Sequence, residues 1–163
     1  MKIPFAKPLI GKKELFHVNK VLKSGILTHG PYSKKFENEF SKFSGVKNIT
    51  AISSCTSALL TAYYLSGLNK NSEFIVPAQT HVATVHAGTF LGAKPVFVDC
   101  EEDTGNINVD LIEKKITKKT KAITVVHYLG KPVKIYKILQ LCRKYNLKLI
   151  EDCALALGAK YNN

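Results

Sequence analysis

An α/β domain with a mostly parallel sheet, covered by helices on both faces, is predicted by three features of the chain. Short apolar runs suited to buried strands recur at 49–53, 74–77, 95–99, 122–126 and 147–151. Stretches with helical spacing alternate with them at 56–66, 82–91, 110–115 and 134–145. Strands that read as continuous apolar runs are those buried on both sides, and parallel strands need such helical crossovers to be joined. The third feature is the composition: 45% hydrophobic and 22% charged residues are globular values, and 163 residues can bury a core.

Ahead of the alternation stands a helical arm. Leu15, Val18, Val21 and Leu22 recur at three- and four-residue steps, which predicts a helix over 12–23 ended by Ser24-Gly25. Phe36, Phe40 and Phe43 repeat that spacing in a second helix stopped by Gly45, and such aromatics are expected in a core. These elements divide the chain into an arm, 1–47, and a sheet domain, 48–163.

In parallel sheets, ligands bind beyond the carboxyl ends of the strands. That rule selects four loops. Ser53-Ser54-Cys55-Thr56-Ser57 leads from a strand into a helix, where free amides and hydroxyls suit a phosphate, or where the hydroxyls simply cap the helix. His81 follows the run 74–77, where an imidazole can stack on a flat ring or sit as a surface helix-start residue. No second ligand stands at metal spacing from it, since His86 comes five residues on. Glu151-Asp152 closes the last apolar run; a buried carboxylate needs a partner, and neighbours on a strand point to opposite faces. A protonated pyridine nitrogen is one such partner, and a backbone amide or a lysine is another. His127 with the Gly130-Lys131-Pro132 turn completes the rim, in a supporting position.

The net charge is +12, from 24 basic and 12 acidic residues. Arg143 is the only arginine, however, and the lysines are spread along the chain, so no nucleic-acid partner is expected. A solvated surface, with some attraction for an anionic substrate, explains the charge. Cys55, Cys100, Cys142 and Cys153 lack the close pairs of zinc or redox motifs and are expected as reduced thiols, Cys55 in a functional loop and the other three packed. No run approaches the roughly 18 apolar residues of a membrane span, and the start Met1-Lys2-Ile3-Pro4-Phe5 is not a leader, so a cytoplasmic protein is expected.

In order and spacing, the following segments resemble the DegT/DnrJ/EryC1/StrS family of pyridoxal-phosphate (PLP) dependent sugar aminotransferases: Ser24-Gly25-Ile26-Leu27-Thr28-His29-Gly30-Pro31; Ser54-Cys55-Thr56-Ser57-Ala58-Leu59; Thr80-His81-Val82-Ala83-Thr84; Gly92-Ala93-Lys94-Pro95-Val96-Phe97-Val98-Asp99; and Glu151-Asp152-Cys153-Ala154 with Leu157-Gly158-Ala159. The resemblance runs from about Ile3 to Tyr161. It implies the large domain of a fold-type I (aspartate aminotransferase-like) enzyme, here incomplete. It implies that Cys55 and Thr56 hold the PLP phosphate, that His81 stacks on the ring and that Asp152 pairs with the pyridine nitrogen, with Thr28 on the substrate side. It further implies a homodimer that moves an amino group from glutamate to a keto sugar carried on a nucleotide.

Departures from the family pattern accompany the resemblance. Cys55 stands for the usual glycine of the phosphate loop, His81 for a larger aromatic, and Leu155 for a His or Gln near the cofactor's phenolic oxygen. The lysine that would carry the cofactor as a Schiff base falls past Asn163, as does the small domain, so no catalytic residue is assigned. The expectation is therefore an N-terminal portion of a nucleotide-sugar aminotransferase, inactive alone and binding PLP weakly. The alternatives are a non-catalytic nucleotide-binding module, against which the lack of a G-x-G-x-x-G turn counts, or a dimerisation partner of a full-length relative.

Overall fold

The computed structural model describes residues 7–162 and divides between Ala51 and Ile52 into two units. The first unit carries α1 (Lys12–Ser24) and α2 (Pro31–Ser44). Both helices end on a glycine in the left-handed region, Gly25 at φ 68° and Gly45 at φ 73°, a conformation that costs glycine nothing. The apolar stripes that predict these helices are present, but neither helix has a buried residue, and Leu15, Val18, Leu22, Phe36 and Phe43 are exposed. The expectation that the phenylalanines form core is corrected here. Phe36, Phe40 and Phe43 touch one another along one helix face, and two helices in an arm this short cannot enclose such a stripe.

The second unit is a four-stranded parallel sheet of order β2-β1-β3-β4. Its elements are α3 (Cys55–Leu65), β1 (Glu73–Pro77), α4 (Val82–Thr89), β2 (Lys94–Val98), β3 (Thr120–Val126), α5 (Ile135–Tyr145) and β4 (Lys148–Asp152). From β1 the chain moves outward to β2, returns to the far side of β1 as β3, and moves outward again to β4. Right-handed crossovers in opposite directions place their helices on opposite faces. Two cores result. Ile75, Ile123 and Val125 pack with Ile138 and Cys142 of α5. Phe74, Val76, Ala122 and Ile150 pack with Leu59 and Tyr63 of α3 and Ala87 of α4. The alternate residues of β1, β3 and β4 thus divide between the two cores, as the two-residue period requires, while the edge strand β2 gives Val96 and Val98 to the first.

Two expected elements differ. Residues 49–53 form no strand; no ladder reaches them among the described residues, and an extended run without a ladder is not a strand. The expected helix at 110–115 is instead a pair of 3-10 turns, Val109–Leu111 and Glu113–Lys115. The segment is too short to nucleate an α-helix, and a three-residue repeat puts Val109 and Ile112 on one side, both buried. Cys142 is packed as expected and Cys100 partly so, but Cys153 is exposed just past the end of β4; the packing expectation fails for it because it lies in the irregular segment beyond the sheet rather than in the strand.

Gly88 marks the closest approach of a helix to the sheet. A Cβ there would lie 2.5 Å from Cζ and 2.6 Å from Cε1 of Phe74, a fully buried ring that cannot yield. Alanine gains about 1 kcal/mol of helix propensity over glycine, whereas overpacking costs about 1–3 kcal/mol. Gly88→Ala is therefore expected to destabilise the second unit by about 1 kcal/mol. Urea unfolding measures it, and a raised midpoint would contradict this packing.

Candidate cofactor site

The reversal of crossover direction between β1 and β3 opens the sheet's carboxyl end, and the side chains that converge there come from α3, α4 and β4. Asp152 is the last residue of β4 and shares the parity of Ile150, so its carboxylate turns to the face covered by α3 and α4. It is 6% exposed. Oδ2 accepts from Thr84 Oγ1 at 2.9 Å, and Oδ1 accepts from the Ala154 amide at 3.1 Å and, more weakly, from Cys55 Sγ at 3.8 Å. No lysine, arginine or histidine pairs with it among the described residues.

Thr84 lies in the first turn of α4 and has no exposed surface. Its hydroxyl accepts from Thr80 Oγ1 at 2.9 Å, and its carbonyl accepts from the Tyr63 hydroxyl at 2.9 Å. Tyr63 has one proton to give, so the 2.9 Å contact with Thr124 Oγ1 is donated by Thr124. Burial pushes the Tyr63 phenol far above its ordinary value and keeps it neutral. Strand β3, helix α3 and helix α4 are thus tied together by buried hydroxyls beneath Asp152.

At the start of α3, Ser54 caps the helix by accepting the Ser57 amide at 3.1 Å, and the Ala58 amide bonds the Ser54 carbonyl. The amides of Cys55 and Thr56 have no protein acceptor among the described residues and are exposed, as is the Thr56 hydroxyl. The capping reading of this loop is realised by Ser54, and the first-turn amides have no protein acceptor among the described residues. Burial, followed by the Asp152 carboxylate, pushes the Cys55 thiol up, so it faces that carboxylate as a neutral S–H donor.

His81 caps α4, its Nδ1 accepting the Ala83 amide at 3.2 Å, which fixes the ring at the helix entrance, exposed and one turn before Thr84. Thr28 belongs to the first unit, in the bend between α1 and α2. Leu155 is exposed. Cys55, Asp152 and the α4 entrance are therefore brought to one place.

Glu151, the neighbour of Asp152, turns to the other face and meets His127 Nε2 at 3.0 Å. His127 is buried, and its Nδ1 accepts the Val133 amide at 3.2 Å. Among the described residues, no group of three His, Cys, Asp or Glu could hold a metal, and no helix is long and apolar enough to cross a membrane.

The donors present fit PLP: a buried carboxylate without a cationic partner suits a protonated ring nitrogen, and open amides at a helix start suit a phosphate. Fold and site define an α/β domain whose donors at the carboxyl end of a parallel sheet suit such a cofactor. A profile of the DegT/DnrJ/EryC1/StrS aminotransferase family matches residues 8–163, and the chain belongs to that family. It is 42% identical over 160 residues to GDP-perosamine synthase of Escherichia coli O157:H7, covering 98% of this chain and 44% of that protein. Helicobacter pylori PseC, an aminotransferase of pseudoaminic acid biosynthesis, superposes with a TM-score of 0.91 at 35% identity, covering 100% of this chain and 44% of PseC. NtdA of Bacillus subtilis, solved with bound PMP, superposes with a TM-score of 0.85 at 37% identity, covering 88% of this chain and 33% of NtdA. The chain thus spans under half the length of these relatives, and its fold is that of fold-type I PLP aminotransferases.

Sequence reasoning singled out Asp152, Cys55 and His81 but missed Tyr63 and Thr124 as members of a polar network. Their only signals are a tyrosine in an apolar helix and a threonine inside a buried strand run, each of which needs a partner when buried.

The Cys153 thiol and then Glu151 push His127 up to about 9, with burial opposing. Protonation must give up the Val133 bond, because Nδ1 accepts there only in the neutral ring. The folded value lies above the ordinary one near 6.5, so the stability that protonated His127 contributes is complete below about pH 6.5 and is lost as pH rises through 9. The difference in Tm between the wild type and His127→Gln is expected to shrink from pH 6 to pH 10; a difference that grows with pH would show the Val133 bond to dominate.

Proposed function

We propose that this chain supplies the cofactor-holding half of a PLP-dependent aminotransferase acting on a nucleotide-linked keto sugar, with glutamate as amino donor. The observation that carries the reading is the buried Asp152 carboxylate, which has hydrogen-bond donors but no counter-ion and lies beside the open start of α3. When bound, PLP supplies an electron sink for chemistry at the carbon bearing the amino group.

Each residue of the chain has a distinct task in this reading. Asp152, anionic among its donors, keeps a proton on the pyridine nitrogen through a charge-assisted bond. The amides of Cys55 and Thr56, with the Thr56 hydroxyl, hold the phosphate, aided by the positive end of α3. Cys55 needs only its amide for this; its side chain is turned to Asp152 rather than toward the space an anion would take. His81, held by the Ala83 amide, offers its ring face to the cofactor. Thr28 is assigned to the substrate side and the assembly to a cytoplasmic homodimer, all on family resemblance. The nucleotide-sugar substrate rests on the names of the relatives, a GDP-perosamine synthase and an enzyme of pseudoaminic acid biosynthesis.

No lysine pairs with Asp152 among the described residues, and the lysine that would carry the cofactor covalently is expected in the part of the family's length that these 163 residues do not span. The chain alone is therefore expected to bind PLP reversibly and to have no transaminase activity. Borohydride reduction after incubation with PLP should give diffuse labelling. Stoichiometric labelling of one lysine would defeat this part of the reading. Asp152→Asn should weaken PLP binding about tenfold by fluorescence titration, the loss of a bond to a charged group, while His127→Ala, on the other face, should leave it nearly unchanged. Equal effects would make Asp152 a purely structural residue.

A further inference from the structure

We propose that Thr84 is a positioning residue of the cofactor site, its hydroxyl fixing the orientation of the Asp152 carboxylate from within a buried hydroxyl relay. The inference rests on the reading of Asp152 as the partner of the pyridine nitrogen and extends it to a residue that does not touch the cofactor.

The direction of each proton in the relay is determined. Thr80 Oγ1 donates to Thr84 Oγ1 at 2.9 Å, which leaves the single proton of Thr84 for Asp152 Oδ2 at 2.9 Å. The backbone of Thr84 is anchored independently, since its carbonyl accepts the Tyr63 hydroxyl, which in turn is free to accept from Thr124. Tyr63, Thr84 and Thr124 have no exposed surface, so water cannot replace any of these partners. Oδ1 is held differently, by the Ala154 amide just past the strand and by the Cys55 thiol. The strong side-chain donor to the carboxylate therefore comes from α4 alone, and it acts on the oxygen that no backbone group reaches.

Among the described residues no lysine, arginine or histidine pairs with Asp152. The Cys55 thiol is pushed up by burial and then by the Asp152 carboxylate, and the Tyr63 phenol mainly by burial, so both stay neutral. The carboxylate is therefore oriented by uncharged donors, and removal of one is felt directly by it. Loss of the hydroxyl should also free the carboxylate to rotate about its χ2 torsion, which is broad for aspartate.

The test is Thr84→Val, which keeps the shape and removes the hydroxyl, set against Thr84→Ser, which restores it. PLP affinity of the 163-residue chain is measured by fluorescence titration. Thr84→Val is expected to weaken binding about tenfold, with Thr84→Ser close to wild type. A merely structural threonine would lower Tm while leaving the affinity in place, and that outcome overturns the proposal. If Thr84→Val does not fold, Thr80→Ala at the half-buried end of the relay is the second variant, with a fall of about two- to threefold; no change in affinity overturns the proposal. Weakened binding in Asp152→Asn together with unchanged binding in Thr84→Val removes this inference alone. Failure of the wild-type chain to bind PLP removes both this and the reading it rests on.

Discussion

One buried negative charge organises the second unit. Asp152 sits at the end of β4 without a counter-ion among the described residues, and a carboxylate in that position is tolerable only if its surroundings supply donors. Three elements are positioned to do so: α4 through Thr84, α3 through Cys55, and the turn after β4 through the Ala154 amide. Each donor constrains the element that carries it. The packing of α3 and α4 on the sheet is fixed by apolar contacts such as Phe74 against Gly88, but their rotational setting is also held by these hydroxyls. A charge that needs uncharged support of this kind is costly to keep for structure alone, since an apolar residue would serve as well or better. That imbalance is what makes a cationic ligand group the natural complement of the site.

The topology explains why the donors meet. With the order β2-β1-β3-β4, the chain leaves β1 in one direction and β3 in the other, so α4 and α5 fall on opposite faces and the carboxyl ends diverge at the switch. Helix α3 joins α4 on one face, and its open amides point to the same end of the sheet as Asp152. Open helix-start amides and a buried carboxylate are then available on one face, at one end, from segments nearly a hundred residues apart in the chain.

Most of the sheet was legible in the sequence because buried parallel strands announce themselves as continuous apolar runs, and four of the five expected runs are strands. The run at 49–53 has the same look without a ladder, because composition reports suitability for a sheet and pairing is decided by neighbours. The 109–115 segment shows the complementary failure: Val109 and Ile112 are buried as an apolar pattern suggests, but a three-residue repeat in so short a piece winds as 3-10 turns. The phenylalanines of α2 illustrate a third case, in which helical spacing was read correctly and burial was not, since periodicity reveals a stripe and says nothing of what covers it. At the site, residues that stand out chemically, such as Asp152 and His81, were found. Tyr63 and Thr124 were not, because a hydroxyl within an apolar run gives no sign of its partner until the fold places Thr84 beside it.

The adjacent carboxylates Glu151 and Asp152 show how strand parity separates structure from function. One residue of difference sends Glu151 to the α5 face, where His127 meets it and Val133 holds the other ring nitrogen, so that its interactions are complete within the protein. The same one-residue step sends Asp152 to the α3 and α4 face, among hydroxyl and thiol donors that satisfy its hydrogen bonds and leave its charge uncompensated. Exposure sharpens the contrast: the carboxylate that has an imidazole partner is partly solvated, and the one without a basic partner is buried. Water can stabilise Glu151 whatever the state of His127, whereas Asp152 has only its donors and whatever cation enters the site. A slip of the β4 register by one residue would exchange these environments, placing the histidine against the wrong carboxylate and an unsupported charge on the α5 face. The pairing of Val126 with Asp152 at the end of the β3–β4 ladder is therefore as much a determinant of the proposed cofactor site as any side chain in it.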